Sequence, residues 1–491
     1  MKPNIIFIFS DQHNASVMGN AADPYVKTPN MDWLASNGVK LDNCYCNSPL
    51  CVPSRMSILT GKLPLETGAM NNFQSLYSDT ATLAHSINLA GYETVLAGRM
   101  HFCGPDQNHG YEKRFVGDVT PNYHRDETFK WIYENYGETM KQKRITLEKA
   151  GAGSSALYDF DREATAKAID YMKNRTDERP LFMTVGLYAS HPPFIADEEV
   201  FNYYFDLLPE ISTPKEFKEK LHPAMQIWLK SRNIDDISPI DKKRMRAAYY
   251  ALVEYLDSNL GAIIKGIEDS LGLENTIIVY ASDHGESMGI NDFYWKTTFF
   301  ESSVKVPVII SYPKEYGVGE VIKETTCLAD LTETFLEWSG GPKLPSTVGM
   351  SLIKALKKEE AIESDRSVIS EIGSYPPAGD KPSAMIKKGK WKLVDFYGYD
   401  YPSLFNLEED PLEINDLGSD QNYATVATQL KDELYRVWDP EKAYLYCNEA
   451  FENFKILKKW ADTTHFEFPE VWRCKKGANY LLRDLYPDQY K

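Results

Sequence analysis

The sequence has little that would carry the chain into a membrane or pin it with covalent bridges. No apolar run approaches the roughly 20 residues that span a bilayer. The N-terminal "MKPNIIFIFSDQHN" has one cation and a short apolar run ending at Asp11, without the apolar region and small residues of a signal peptide. A cytoplasmic protein with no membrane partner is expected. The seven cysteines are odd in number, scattered, and without CxxC spacing, which excludes a disulfide framework and a thiolate zinc site. Positive charge is also scarce: 54 Lys and Arg against 71 Asp and Glu give a formal charge of −17. That balance argues against a nucleic-acid partner, so any anionic ligand has to be held locally.

What is present is a chain of 491 residues, 43% hydrophobic, long enough for a sizeable core. Short β-branched or aromatic runs alternate with longer amphipathic segments. That pattern predicts an α/β fold, a large mostly parallel sheet between helices. "NIIFIFS" is the first strand, and "TPNMDWLASNG" the first helix, with Thr28 as cap and Pro29 in its first turn. "TATLAHSINLAGY" repeats the design and leads into the strand "ETVLAG". "DREATAKAIDYMKNR" reads as helix, "LFMTVGLYAS" as strand, 241–271 as a long helix, and "NTIIVYAS" as strand. The segment 197–240, rich in Pro, Phe and Tyr, reads as an insertion. From about Ser364 the texture changes to turn-linked antiparallel strands with a helix near 423–438, so residues 1–363 are expected to form the main domain and 364–491 a smaller C-terminal α+β subdomain and tail.

Polar residues follow the predicted strands directly. Asp11-Gln12 follow the first, Arg99-Met100-His101 the second, His191 the third, and Asp283-His284-Gly285-Glu286 the fourth. Strand carboxyl ends line one crevice in an open parallel sheet, so these groups are expected to converge on a site. Asp11, Gln12, Asp283 and His284 offer three oxygen-type ligands and one imidazole, suited to one divalent cation: calcium foremost, with manganese or magnesium open. His85, inside a predicted helix, reads as a packing or surface residue.

The stretch "LCVPSRMSILTG" puts Cys51 beside the free N–H groups of a helix N-terminus, with Pro53 in the first turn. Cys51-Val52-Pro53-Ser54-Arg55, followed by Thr60-Gly61, resembles the sulfatase motif C-x-P-S-R, in which the cysteine is oxidised after translation to Cα-formylglycine. The Asp11 strand end, Arg99-x-His101, His191, Asp283-His284 and Lys296 follow in the order expected of that family. "GRMHFCGPDQNHGYE" is most similar to choline-sulfatase-like members. The resemblance implies an alkaline phosphatase-like fold and a sulfuric ester hydrolase.

It also implies roles. Cys51, as formylglycine, would be nucleophile and metal ligand beside Asp11, Gln12, Asp283 and His284. Arg55 would fix the diol, Arg99 would neutralise sulfate oxygens, and His101 would be the base of the elimination step. His191 and Lys296 would serve the leaving oxygen, and Asn72, with Asn71 as competitor, would donate to a sulfate oxygen. His13, His109 and Glu286 would stand behind these. Partners would be a small-molecule sulfate ester and a sulfatase-maturating enzyme acting on Cys51, with a homo-oligomer open. Choline-O-sulfate, sulfated carbohydrates and aryl sulfates all remain open as substrates. The alternatives are a phosphonate monoester or phosphodiester hydrolase of the same superfamily, and an inactive sulfatase-like metal-binding protein.

Overall fold

The computed structural model describes residues 2–119, 139, 141–374, 379–464, 472, 475 and 477–489. Its centre is an eight-stranded sheet. In chain order the strands are β1 (Asn4–Ser10), β2 (Val39–Tyr45), β3 (Glu93–Gly98), β4 (Lys113–Phe115), β5 (Leu181–Gly186), β6 (Thr276–Ser282), β7 (Lys305–Ser311) and β8 (Glu320–Cys327). They lie in the order β8-β2-β7-β6-β1-β5-β3-β4. β1 pairs in parallel with both β5 and β6, β3 with β5 and β4, and β2 with β8, while β7 runs antiparallel to both of its neighbours. The expected mostly parallel sheet is therefore present, with one reversed strand.

β1 and β6 are buried along their whole length, which is why they read as unbroken apolar runs rather than as alternation. Helices cover both faces. On one side lie α1 (Pro29–Ser36), α4 (Ala156–Asn174) and α5 (Pro239–Ser270), whose apolar residues pack with Ile6, Ile8 and Val185. On the other lie α2 (Cys51–Thr60), α3 (Leu83–Leu89) and α6 (Leu328–Ser339), packed with Phe7, Phe9 and Val279. All ten residues of α2 are buried, so this helix is core and not surface. Thr82 and His85 form a reciprocal cap at the start of α3, giving His85 a structural duty.

Segment 197–240 differs from the expectation of a mere insertion. It folds into helices Glu198–Leu207, Lys215–Lys220 and Pro223–Arg232, whose Phe201, Tyr204, Trp228 and Leu229 join a core with α5.

The C-terminal part is a four-stranded antiparallel sheet, β9 (Ser367–Ile372), β10 (Ser383–Lys388), β11 (Trp391–Phe396) and β12 (Ser403–Asn406), followed by α7 (Ala424–Leu434) and α8 (Pro440–Thr464). The tail returns to the main part, where Tyr480–Leu481 pairs with Gly151–Ser154. We propose residues 363 and 364 as the boundary between the two parts. Among the described residues no helix is long and apolar enough to cross a membrane.

Candidate active site

β1, β6, β3 and β5 are neighbours running in one direction, so the polar residues beyond their ends meet. Helix α2 points its N-terminus into the same place and delivers Cys51. Arg55 lies four residues on, hence on the same helix face. Its Nε donates to Asp283 Oδ2 at 2.8 Å and its Nη2 to Asp11 Oδ2 at 3.2 Å and to the Ser10 carbonyl at 3.2 Å. One guanidinium thus ties the ends of β1 and β6 together, its face over Phe9 at 4.7 Å.

Cys51 is buried, and its Sγ lies 2.9 Å from Lys296 Nζ, 3.2 Å from His284 Nε2 and 3.8 Å from Asp11 Oδ1. Burial alone would push the thiol up, yet Lys296, His284 and hydrogen bonds from His101 and His191 hold it well below the ordinary thiol range. This favours an anion: Lys296 and His101 donate toward whatever negative group stands at position 51.

Asp11 is similarly held far below the usual carboxylate range. Burial and Cys51 act to raise it, and Arg99 and Lys296 outweigh them. Its Oδ2 takes Arg99 Nε at 2.6 Å, leaving Oδ1 toward Cys51 and His284. His284 donates from Nδ1 to the Gly285 carbonyl at 3.0 Å, which leaves the Nε2 lone pair for the site. Ligand atoms of Asp11, Cys51, Asp283 and His284 all lie within 4.8 Å of one another. The set fits one divalent cation: carboxylate oxygens, an imidazole nitrogen presenting its free lone pair, and the atom at position 51.

Gln12, in the left-handed region at φ 66°, turns its side chain inward. Its Oε1 accepts from Lys296 Nζ at 2.7 Å, and its Nε2 donates to Glu286 Oε2. Glu286 also accepts from the N–H groups of Met288 at 3.0 Å and Trp295 at 2.6 Å, so this buried carboxylate orients Gln12 and the loop that carries Lys296.

Arg99 is surrounded by partners: Asp11, Asp118 Oδ1 at 3.1 Å, the Tyr188 hydroxyl, and His101 Nδ1 at 2.8 Å, with the Tyr188 ring 3.9 Å from its carbon. Because Arg99 can only donate, His101 Nδ1 is the acceptor, and the neutral ring carries its proton on Nε2, facing position 51. Burial and Arg99 lower the basicity of His101. His191 donates from Nδ1 to the Pro192 carbonyl at 2.6 Å and presents Nε2 to Cys51; burial and Lys296 lower its basicity too.

Asn72 Oδ1 accepts from the Val52 N–H at 2.9 Å, capping the helix that carries Cys51, whereas Asn71 binds the Ser374 carbonyl. Two residues named for a supporting role lie elsewhere. His13 bonds Tyr280 and the Val17 carbonyl, and His109 packs on Phe102 beside Asp106. Sequence reasoning missed Asp118, Tyr188 and Asp161. The last accepts from the Tyr188 and Ala189 N–H groups at 2.6 and 2.9 Å and so holds the loop leading to His191.

Comparison with known proteins agrees with this geometry. The sulfatase family model matches residues 3–341, and a model described as N-sulphoglucosamine sulphohydrolase, C-terminal, matches 289–439. A choline-sulfatase of Rhizobium meliloti is 31% identical over 468 residues, covering 90% of this chain and 88% of that one. An arylsulfatase of Clostridium perfringens is 25% identical, covering 93% and 98%. Among solved structures, one in complex with its substrate D-glucosamine-2-N,6-O-disulfate superposes with TM-score 0.70 at 23% identity, covering 89% of this chain and 97% of that one. The phosphonate monoester hydrolase of Agrobacterium radiobacter superposes with TM-score 0.73 at 21% identity, covering 89% and 95%. With a sulfatase model matching more than half of its length and a relative 31% identical over most of both chains, the chain belongs to the sulfatase family of the alkaline phosphatase superfamily, sulfuric ester hydrolases.

Proposed function

We propose that the protein hydrolyses a sulfate monoester to an alcohol and inorganic sulfate, using position 51 as Cα-formylglycine. The observation that carries the reading is the crowding of polar groups on one buried atom: Lys296 and His101 donate toward Cys51 Sγ, and the Nε2 atoms of His284 and His191 face it. A thiol has little use for that company. The sulfur stands where the hydroxyl oxygens of a hydrated aldehyde would be, and those oxygens acquire negative charge during the reaction.

One diol oxygen forms a bond to sulfur as the bond from sulfur to the ester oxygen breaks. The departing oxygen takes a proton from Lys296, which reaches position 51, or from His191 when its ring carries a second proton on Nε2. Loss of the second hydroxyl's proton then re-forms the C=O double bond, expels sulfate, and returns the aldehyde without water attacking the sulfated enzyme. For His101 to take that proton through Nε2, its own proton has to move to Nδ1, which requires the contact with Arg99 to open, and burial together with Arg99 favours prompt return of the proton. Asp11, Gln12, Asp283 and His284 would hold a divalent cation, calcium foremost, which when bound supplies Lewis acidity to the nucleophile and to sulfate. The alcohol is choline, a carbohydrate or a phenol in this reading.

The test is peptide mass spectrometry of the tryptic fragment carrying Cys51, after co-expression with a sulfatase-maturating enzyme, together with turnover of an aryl sulfate by the same preparation. Formylglycine with sulfate release is the expected result. Formylglycine with release only from phosphodiesters or phosphonates would replace the reading by the phosphonate hydrolase one.

A further inference from the structure

A cleft of about 370 Å³ is walled by Leu50, the residue before Cys51, and Asn72, and by Thr297, the neighbour of Lys296. Its walls are the chain neighbours of Cys51 and Lys296, which makes it the candidate seat for the alcohol part of a sulfate ester on Cys51. Its far wall is built around Arg232, at the end of the helix Pro223–Arg232.

The Arg232 side chain is only 11% exposed. Nη1 donates to the Trp228 carbonyl at 3.2 Å and to Ser231 Oγ at 2.9 Å, and the guanidinium carbon lies 4.1 Å from the centre of the Trp228 ring. The remaining nitrogens are poorly engaged. Nε is 3.4 Å from Gln142 Oε1, and Nη2 is 3.4 Å from Thr297 Oγ1 and 3.5 Å from Asp380 Oδ2. A tight charge-assisted bond measures about 2.7–2.9 Å. Burial pulls Arg232 below its ordinary range, and Asp380 offsets this only in part.

Lys143 and Lys381, the latter with its ammonium 4.9 Å from the centre of the Tyr444 ring, line the same cleft beside Arg232, with Asp380 in its lining, in a chain whose overall charge is −17. Of the aromatic residues lining the cleft, Phe73, Trp228, Phe396 and Tyr399, Trp228 already has one face covered by the guanidinium.

We infer that the alcohol cleft selects sulfate esters whose alcohol carries a second anionic group, a carboxylate or a further sulfate, received by Arg232. The inference rests on the sulfatase reading and narrows it. Arg232 is the specificity residue, with Gln142, Thr297 and Asp380 fixing where its open nitrogens point. Asp380 acts as an internal competitor for the same guanidinium, so a cationic alcohol such as choline is met by net repulsion.

The experiment uses enzyme whose formylglycine has been verified, and four probes: phenyl sulfate, 4-carboxyphenyl sulfate, 1,4-phenylene disulfate and 4-(trimethylammonio)phenyl sulfate. The readout is kcat/KM of each anionic or cationic probe divided by that of phenyl sulfate, compared between wild type, Arg232→Gln and Asp380→Asn. Differences in intrinsic leaving-group reactivity cancel in that comparison. In Arg232→Gln the ratio for the anionic probes should fall by about tenfold or more, the scale of one charge-assisted hydrogen bond, while the ratio for the cationic probe should rise. In Asp380→Asn the anionic ratio should rise.

The carboxylate and disulfate arms identify which anion seats better. Ratios unchanged within about twofold in both variants would overturn the inference, as would movement in the opposite sense. Should Arg232→Gln fail to fold, Asp380→Asn and Lys381→Gln carry the same comparison, with opposite expected signs. Absence of turnover for every probe by verified enzyme would instead sink the sulfatase reading beneath it.

Discussion

Replacing Lys392 by methionine removes the fully buried cation from a cluster that joins the C-terminal sheet to the loop bearing Lys296. Lys392, on β11, has a fully buried side chain. It donates to Glu301 Oε1 at 2.9 Å and to the Phe299 carbonyl at 2.7 Å, and it pairs with Glu413. Glu413 in turn accepts the Glu301 N–H at 2.7 Å, and Tyr45 donates to Glu301 at 3.0 Å. Methionine matches the stem but leaves two carboxylates facing each other with only the more distant Lys305 acting on Glu301. Breaking such a buried pair from one side costs about 3–5 kcal/mol.

The pH dependence makes the prediction specific. Burial raises Glu413 to about 7, so the folded chain keeps a proton that the unfolded chain releases near the ordinary glutamate range, and wild-type stability from this group falls as pH rises through 7. Burial also acts to raise Glu301, but Lys392 holds it below its ordinary value. Without Lys392 both carboxyls move up, and the extra cost grows with pH at up to about 1.4 kcal/mol per unit for each proton involved. Urea unfolding of Lys392→Met should therefore show a modest loss at pH 5.5 and the full loss at pH 8, with Lys392→Met/Glu413→Gln recovering part of it. A loss under about 1 kcal/mol at pH 8, or an equal loss at both pH values, would refute the argument.

Two further predictions concern the loop that presents His191. His191→Asn should reduce kcat far more for alkyl sulfates than for an activated aryl sulfate, because a good leaving group needs no proton; equal losses would deny His191 that role. Asp161→Asn offers one acceptor to two backbone N–H groups, and burial has already raised the native carboxyl to about 7. A loss of about 1–3 kcal/mol in unfolding is expected, with a fall in activity that mirrors the His191 pattern, and wild-type behaviour in both assays would show that Asp161 does not position the loop.

The strands that deliver the site were legible because they are buried on both faces, so their apolar runs are continuous and stop abruptly at the polar residue that matters, as at Asp11 and Asp283. Strand β2 was not read: "VKLDNCY" lies half-buried nearer the sheet edge and carries Lys40, Asp42 and Asn43. Strand β7 contains Pro307, a residue that argues against a strand when no partner is known. Segment 197–240 misled for a related reason. Its aromatic residues bury against α5, a surface that local pattern does not reveal. Asp118 and Asp161 escaped because nothing local distinguishes a buried carboxylate from a surface one; only the fold brings the first to Arg99 and the second to the Tyr188 N–H. Asn72 was found, yet its Oδ1 bond to Val52 shows part of its duty to be the helix cap.

The spacing of the nucleophile motif has a geometric reason that goes beyond recognition. Position 51 must sit at the N-terminus of α2, where backbone donors and the helix dipole favour an anion, and the next residue on the same face is four positions on. Arg55 uses that place to grip Oδ2 of both Asp11 and Asp283. In Asp11 the other oxygen faces Cys51 and His284, and in Asp283 it takes the N–H groups of Gln12 and His284 while lying 3.5 Å from the imidazole Nε2. Each carboxylate is thus divided, one oxygen holding the framework and one serving the site. Moving the arginine by one residue along the helix would rotate it by about 100° and release both carboxylates. The interval between cysteine and arginine is therefore as much a part of the geometry around position 51 as the residues themselves.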